Sequence, residues 1–571
     1  MRGRRCPGSN NAMKNNRYFW PSVLPFLAIT VCSLPLLTLE FPKGHDWLIE
    51  LVRVSEFKSA IINGQFPPYW GENLYGGYGS PIFVYYAPLY MLIATFCSFI
   101  TGSIISGSTL ALIILSVIAV FSMKLLLQEV VGEKTSEGES ASRIAAYFFI
   151  LNPYLICDML QRNANAEYTA LCLSPLAFYG LILIDRKPRF GGLVLSGALA
   201  LIITSHNLTA LIIFSMVLIL SLFLYLPKKN ISIWLTIIAS ISLGLAISAF
   251  FWMPALYYKS SVQIEQMMSG KFNYHNQFQS IISLFGYKYF FSVGSITPII
   301  ILCSIAVMFF ERNQNKSNYI NLYVFIICGS LLLVFLQTRA SAIFWKIVPY
   351  MPLFQFPWRM MGPLALVTSV GAGLSFFLFC EDTPIKNIKM REFLILLVCI
   401  TNAMGHIRSS EQVPKNLSYL FAGETIKNTG LPATVLDEYL PKGASNDIWM
   451  NRSSNIGPVV KSIPDVEINV LKDSGTEIIL ETVSETPARL QMARWFFLGW
   501  ECTVNGVPHN VKLNKFGSFD ISIPTGFNKI ILHLFPPLLR RVCVWISLMS
   551  LAIVFIILSL PTTKVKSLQK P

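Results

Sequence analysis

The sequence predicts a mainly α, polytopic membrane protein of about twelve transmembrane helices, with a small external β-sandwich-like domain near the C-terminus. Three observations carry this. Of the 571 residues 53% are hydrophobic and only 13% charged, with a mean hydropathy of +0.55, whereas a soluble chain carries about 25% charged residues. Apolar runs long enough to cross a bilayer recur along the chain. Late in the sequence the pattern changes to alternating stretches such as "VEINVLKDSGTEIILETV" and "FGSFDISIPTGFNKIILHLF", separated by Gly, Asn and Pro turns, which is the signature of paired strands.

The apolar segments fall near 19–40, 81–101, 105–127, 142–157, 168–184, 190–205, 208–226, 232–253, 292–310, 319–337, 361–380, 392–404 and 542–560. If all of them cross, starting from a cytoplasmic N-terminus, Arg186–Arg189, Lys228-Lys229, Lys386–Arg391 and the C-terminal lysines 564, 566 and 570 fall outside, against the positive-inside rule. Laying "PIFVYYAPLYMLIATFCSFI" (Pro81–Ile100) in the outer interface repairs every violation. Its two prolines and Tyr85, Tyr86 and Tyr90 suit the headgroup level. Twelve crossings then remain, with both termini cytoplasmic, and Arg2, Arg4, Arg5, Lys14 and Arg17 mark an uncleaved anchor. The chain divides into a multi-span region at 1–405, an external β-rich domain at 406–538, and a final helix with a cytoplasmic tail at 539–571.

The net charge of +15 reflects Lys and Arg in short connectors, so no nucleic-acid partner is expected. The 11 Cys are scattered, mostly inside apolar runs, without a CxxC or an even set in a polar region, so neither a zinc site nor a disulfide framework is indicated.

On this topology the conspicuous polar groups of the apolar part all land on the outer side. "GHDWLIELVRV" places Asp46, Glu50 and Arg53 at helical spacing on one face. The loop "INGQFPPYWGENLYGGYGSPIFVYYAPLY" follows, with Tyr78 among its glycines. Those glycines fit either close backbone approach to a ligand or a tight turn into the interfacial helix. "CDMLQRNANAEYTAL" carries Asp158, Arg162 and Glu167, readable as a buried ion pair or as a carboxylate-oriented phosphate-binding guanidinium. In "TSHNLTAL", His206 reads as a polar helix cap or as a ligand. In "PLFQFPWRMMGPLAL", Gln355, Trp358 and Arg359 stand at the mouth of a crossing, where interfacial anchoring is the ordinary reading. Taken together they predict one external, membrane-level cavity lined by carboxylates, Arg and His.

These stretches resemble the bacterial membrane-protein family labelled 6-pyruvoyl-tetrahydropterin synthase-related. The resemblance rests on the Asp after the first span, "GxxPPYWxxxxxGGYGSPxFxYYxPLY", "NPYxxxDxxxRxxxxE", "SHN" and "QFPWR". Nothing resembles a soluble pterin synthase. The family is in turn similar to the GT-C superfamily of polyprenyl-phosphate-dependent glycosyltransferases, and "RWFFLGWECTVNGVPHNVKLNKFGSFDISIPTG" resembles a YfhO-like external domain. The resemblance implies transfer of a sugar from a polyprenyl-phosphate donor to an unidentified acceptor, on the outer face of the cell membrane. It casts Asp46 as general base and Glu50 as the second catalytic residue, which orients it. Substrate would be bound by Arg53, Tyr78, Asp158, Arg162, Glu167, His206, Gln355, Trp358 and Arg359. Membrane lipid is the expected partner. No cofactor is called for, and a divalent metal stays open because Asp46 follows His45 where relatives often pair acids. A transporter or lipid-handling protein using the same cavity, and a non-catalytic scaffold, are the competing classes.

Overall fold

A computed structural model describes residues 24–561 except 133–134, 269–272, 287–289, 311–318, 350, 380–386, 408–410, 432 and 445–456. The basic N-terminal residues, Arg312, Lys316, Lys386 and the C-terminal lysines, which set the expected orientation of the termini, lie outside the described residues.

Among the described residues seven helices are long and apolar enough to cross a membrane: Ile104–Val131, Asn165–Leu183, Asn207–Tyr225, Ile320–Gln337, Pro357–Phe379, Ile388–Ile407 and Leu538–Ser559. Two further pairs, Ser136–Ile150 with Pro153–Arg162 and Ile231–Ile247 with Ala249–Tyr257, qualify together but bend by 48° and 73°. The first bend has a local cause. Asn152 caps the second half through its side chain, which accepts from Tyr154 N, and Pro153 cannot supply an N–H to continue the first. Pro81–Ile100 is also broken, into Ile82–Tyr85 and Leu89–Thr101. Thirteen residues rise only about 20 Å, short of the roughly 30 Å of a hydrocarbon core.

Small residues let the helices approach closely. Gly180 and Gly191 face each other's helices, where a Cβ on either would lie 2.5 Å from a backbone nitrogen. Away from the polar cluster described below, Glu392 receives two bonds from Arg143, at 2.7 and 2.8 Å, and one from Tyr147 at 2.8 Å. That buried pair joins helices Ser136–Ile150 and Ile388–Ile407, and no local spacing in the sequence signals it.

The late alternating stretches form two antiparallel sheets. One has four strands in the order Val459–Ile463, Ala488–Trp495, Ser518–Ile523, Lys512–Leu513. The other has five, in the order Glu467–Asp473, Glu477–Ser484, Gly526–Leu534, Trp500–Val504, Val507–His509. Along Glu477–Ser484 every second side chain is buried, so Ile478 and Leu480 enter the core and Glu477 and Glu481 stay outside it.

The segment Gly64–Ser80 is the adapter between this β region and the helices. Tyr69 donates to Leu498 O at 2.6 Å, Gly475 N to Glu72 Oε2 at 2.6 Å, and Trp495 N to Tyr78 O at 3.0 Å. Arg540, at the start of the last helix, donates to Pro67 O and Pro68 O at 3.2 and 2.5 Å.

Candidate functional site

Three backbone contacts bring the first and second polar stretches together. Gly44 N donates to Asn163 Oδ1 at 2.7 Å, His45 N to Gln161 O at 2.9 Å and Asp46 N to Arg162 O at 3.0 Å. Gly44 has to be glycine here, because a Cβ would stand 2.3 Å from Asn163 Oδ1 and 2.5 Å from Gln161 O. Asn163 in turn takes φ +55°, the left-handed region that Asn tolerates best after Gly.

Asp46 is the residue that starts helix Trp47–Ile62, yet its side chain makes no capping bond. The residue is half-buried, and its carboxylate has no hydrogen-bond partner among the described residues. The other carboxylates are held. Glu50 Oε1 accepts from Arg53 Nη1 at 2.6 Å and from the Tyr86 hydroxyl at 2.8 Å, while Oε2 accepts from Asn165 Nδ2 at 3.2 Å. Arg53 lies 3.9 Å over the Tyr86 ring and donates through Nε to Ala433 O at 2.7 Å. Burial pushes the Glu50 carboxyl above the ordinary carboxylate range, with Arg53 opposing. The expected shared face of Glu50 and Arg53 is therefore an ion pair at i,i+3.

Next to Asn165 the second stretch forms a buried network. Arg162 pairs closely with Asp158 and reaches Glu167 Oε2 at 3.4 Å; the Tyr154 hydroxyl donates to Glu167 Oε1 at 2.6 Å. Both readings of Arg162 made the guanidinium a partner of carboxylates, and here it has two. The "QFPWR" segment closes the network from the other side. Trp358 lies 4.3 Å under the Arg162 guanidinium and stacks on Phe291 and Phe356 at 4.1 and 4.7 Å. Arg359 Nε stands 3.7 Å from Glu167 Oε2 but makes no hydrogen bond, while Nη1 donates to Phe354 O at 2.9 Å and Gln355 Oε1 at 3.3 Å. Gln355 itself sits at φ +60° and donates to Met267 O at 2.5 Å. A non-glycine held there stores about 1–3 kcal/mol of strain. His206 caps helix Asn207–Tyr225, its Nδ1 2.8 Å from the Thr209 hydroxyl, and it lies within the electrostatic reach of Glu167, Arg359 and Arg162.

Asp46, Glu50, Arg53, Asp158, Arg162, Glu167, His206, Gln355, Trp358 and Arg359 are thus brought to one place. Tyr78 is not. It is buried against Trp495, ring centroids 4.4 Å apart, and belongs to the junction with the β region. The nearby glycines serve that junction: Gly79 takes φ +80°, and a Cβ on it would fall 2.2 Å from Trp70 Nε1. Tyr86, Tyr154 and Asn165 were not singled out as site residues. For Tyr154 a signal existed, since it precedes Asp158 and Arg162 at 4-residue spacing. Among the described residues no group of three or more His, Cys, Asp or Glu is arranged to hold a metal ion.

A buried carboxylate two turns along helix Trp47–Ile62 ties this site to the adapter. Glu56 accepts from Asn73 N at 3.0 Å and Asn73 Nδ2 at 2.9 Å. Burial, with Glu72 nearby, pushes its carboxyl up to about 7. The folded state therefore binds this proton more tightly than the unfolded chain, whose carboxyl titrates near 4.3. Stability from this group is complete below that value and falls as pH rises to about 7. Thermal unfolding in detergent between pH 5 and 8 should show that decline, and Glu56→Gln should flatten it.

A family model described as "6-pyruvoyl-tetrahydropterin synthase related domain; membrane protein" matches residues 83–405, more than half of the chain. The chain belongs to this family. Its matched part holds Tyr86 and every site residue from Asp158 to Arg359, while Asp46, Glu50 and Arg53 precede it. No curated protein matches. Among solved structures, arabinofuranosyltransferase AftD from Mycobacteria is similar at 16% identity and TM-score 0.43, over 71% of this chain and 27% of that one. The oligosaccharyltransferase AglB from Archaeoglobus fulgidus, in complex with an inhibitory peptide and a dolichol-phosphate, is similar at 15% identity and TM-score 0.42, over 75% and 61%. ArnT from Cupriavidus metallidurans, bound to undecaprenyl phosphate, follows at 11% and 0.43, over 72% and 78%. The chain thus spans about a quarter of the length of AftD.

Proposed function

We propose that this membrane protein is a glycosyltransferase that moves a sugar from a polyprenyl-phosphate donor to an acceptor hydroxyl, on the outer face of the cell membrane. The observation that carries the reading is Asp46. Around it Glu50, Asp158 and Glu167 are each bonded to Arg, Tyr or Asn side chains, and Asp46 is left half-buried with its carboxylate uncommitted among the described residues. A general base has to be available to a substrate proton; Glu50 and Glu167 are held through both oxygens, and Asp158, although its Oδ2 has no hydrogen bond, is completely buried. The motif resemblance to the GT-C superfamily supplies the reaction class.

In the reaction, the acceptor oxygen attacks the anomeric carbon while Asp46 removes its proton. The bond from that carbon to the phosphate oxygen breaks, and polyprenyl phosphate leaves with the electron pair. One displacement inverts the anomeric centre. The leaving group needs positive charge more than it needs a proton. Arg359 suits this role best, since its Nε is buried without a hydrogen bond, whereas Arg162 is already taken by Asp158, Glu167 and Tyr154. Glu167 orients both guanidinium groups, and Glu50 holds Arg53 and Asn165 beside the base.

Purified protein in vesicles, supplied with a panel of polyprenyl-phosphate sugars, should release free polyprenyl phosphate from at least one. Binding without turnover of any donor would overturn the transferase reading in favour of a lipid-handling protein. Arg359→Lys keeps the charge but loses the planar fork. With the turned-over donor it should lower kcat/KM, chiefly through kcat, by about 10- to 100-fold, the loss of one charged hydrogen bond to the departing phosphate, with fold intact by thermal unfolding.

A further inference from the structure

The segments that carry "QFPWR" to the cluster also present an apolar surface that nothing among the described residues covers. Helix Ala342–Ile347 buries Trp345 on one side and exposes Ile343, Phe344 and Ile347 on the other, Ile343 at 60% and Ile347 at 68%. Helix Ile281–Phe285 buries Leu284 and exposes Ile281 and Ile282, at 62% and 72%. Each is too short to span a bilayer, and each is amphipathic.

Both are fastened to one end of the long apolar helix Ile320–Gln337. Trp345 Nε1 donates to Leu336 O at 2.9 Å, and the Phe344 and Phe335 rings meet edge-on at 5.5 Å. Gln279 N donates to Gln337 O at 2.9 Å, two residues before the second short helix. Trp345 then joins the two by stacking on Tyr274 at 5.5 Å and meeting Phe278 at 6.1 Å. From this unit Gln277 Oε1 accepts from Trp358 Nε1 at 3.4 Å, so it abuts the polar cluster directly.

We infer that helices Ile281–Phe285 and Ala342–Ile347 form a membrane-seated platform beside the cluster, with their exposed apolar faces in the leaflet at that end of the protein. Three features select lipid as the occupant. The apolar face continues the outward face of helix Ile320–Gln337, where Leu331 and Leu332 are exposed. Its flanking charges, Arg339 and Lys346, are both cationic and exposed, as suits long side chains reaching lipid phosphates. Its exposed apolar residues are backed by the buried Trp345 and Leu284 in their helices, unlike the scattered single residues of a solvated surface. The platform sets the depth of Trp358 and Arg359 relative to the lipid phosphates. This seating does not depend on sugar transfer, so it can fail while the transferase reading stands, and the reverse.

The test uses the unmodified full chain in phosphatidylcholine–phosphatidylglycerol vesicles containing a phosphatidylcholine whose acyl chain bears a photoactivatable diazirine. After illumination, adducts are located by peptide mass spectrometry. Adducts are expected on 281–282, 343–344 and 347 at yields within about threefold of those on Leu331, Leu332 and Met549, and absent from the exposed Val507 and Leu513 of the strands. Labelling of Leu331, Leu332 and Met549 without labelling of the two short helices would overturn the proposal. So would their modification by a water-soluble diazirine to the same extent as Val507. Oxidative disulfide formation between copies of an Ile343→Cys or Ile347→Cys variant, with no lipid adducts on the two short helices, would overturn it by assigning the face to a second copy of the chain.

Discussion

Replacing Asp46 by Asn is expected to lower donor turnover by about 10²- to 10⁴-fold, the usual worth of a positioned general base. The substitution is nearly isosteric, and Asp46 caps its helix without a side-chain bond, so folding should change little. The decisive readout is polyprenyl phosphate release measured beside donor affinity. A variant that still binds donor but no longer releases the lipid assigns the base. Full turnover by the Asn protein would make Asp46 structural and remove the observation on which the transferase reading rests. Asp46→Glu offers a gentler check. It moves the carboxylate by about one bond, and since small misplacement alone costs about 10²-fold, partial activity is expected.

Glu167→Gln should have a large effect on stability. Glu167 lies between Arg162 and Arg359 and accepts from Tyr154. Removing its charge leaves two guanidinium groups with only the Asp158 carboxylate between them. Breaking a buried pair from one side costs about 3–5 kcal/mol, which thermal unfolding in detergent would register directly. Arg143→Ala, at the Glu392 pair, should cost a similar amount for the same reason. The two variants separate in donor binding: at equal folded protein, Glu167→Gln should weaken it and Arg143→Ala should not. Equal donor binding by both would mean that the Arg162 network is only structural.

Much of this arrangement was legible beforehand because bilayer constraints write themselves into sequence. Long apolar runs, prolines at Pro81 and Pro88 and the Gly44–Val54 spacing all report local requirements, and local requirements survive in a linear string. The ion pair of Glu50 with Arg53 was visible as an i,i+3 spacing. Its further partners Tyr86 and Asn165 were not, since each lies more than 30 residues away. Arg143 and Glu392, 249 residues apart, look like two ordinary charges at the ends of apolar runs until the helices are placed side by side. Tyr78 shows the opposite error. An aromatic ring among glycines fits a sugar platform as well as a core contact, and only Trp495, more than 400 residues later, decides between them.

The sequence by itself determined the membrane class, the β-rich late segment and the set of charged residues that a greasy chain would not carry without use. Composition and periodicity are properties of the chain, and burying or exposing a side chain is decided largely within its own helix or strand. The tertiary structure decided which carboxylates are committed and which one is free. Glu50, Asp158 and Glu167 find cations, whereas Asp46 is fixed by its backbone to Arg162 O and keeps its side chain available. A hydrogen bond is a distance of about 3 Å, and no spacing along 571 residues encodes which distant segments will be brought that close.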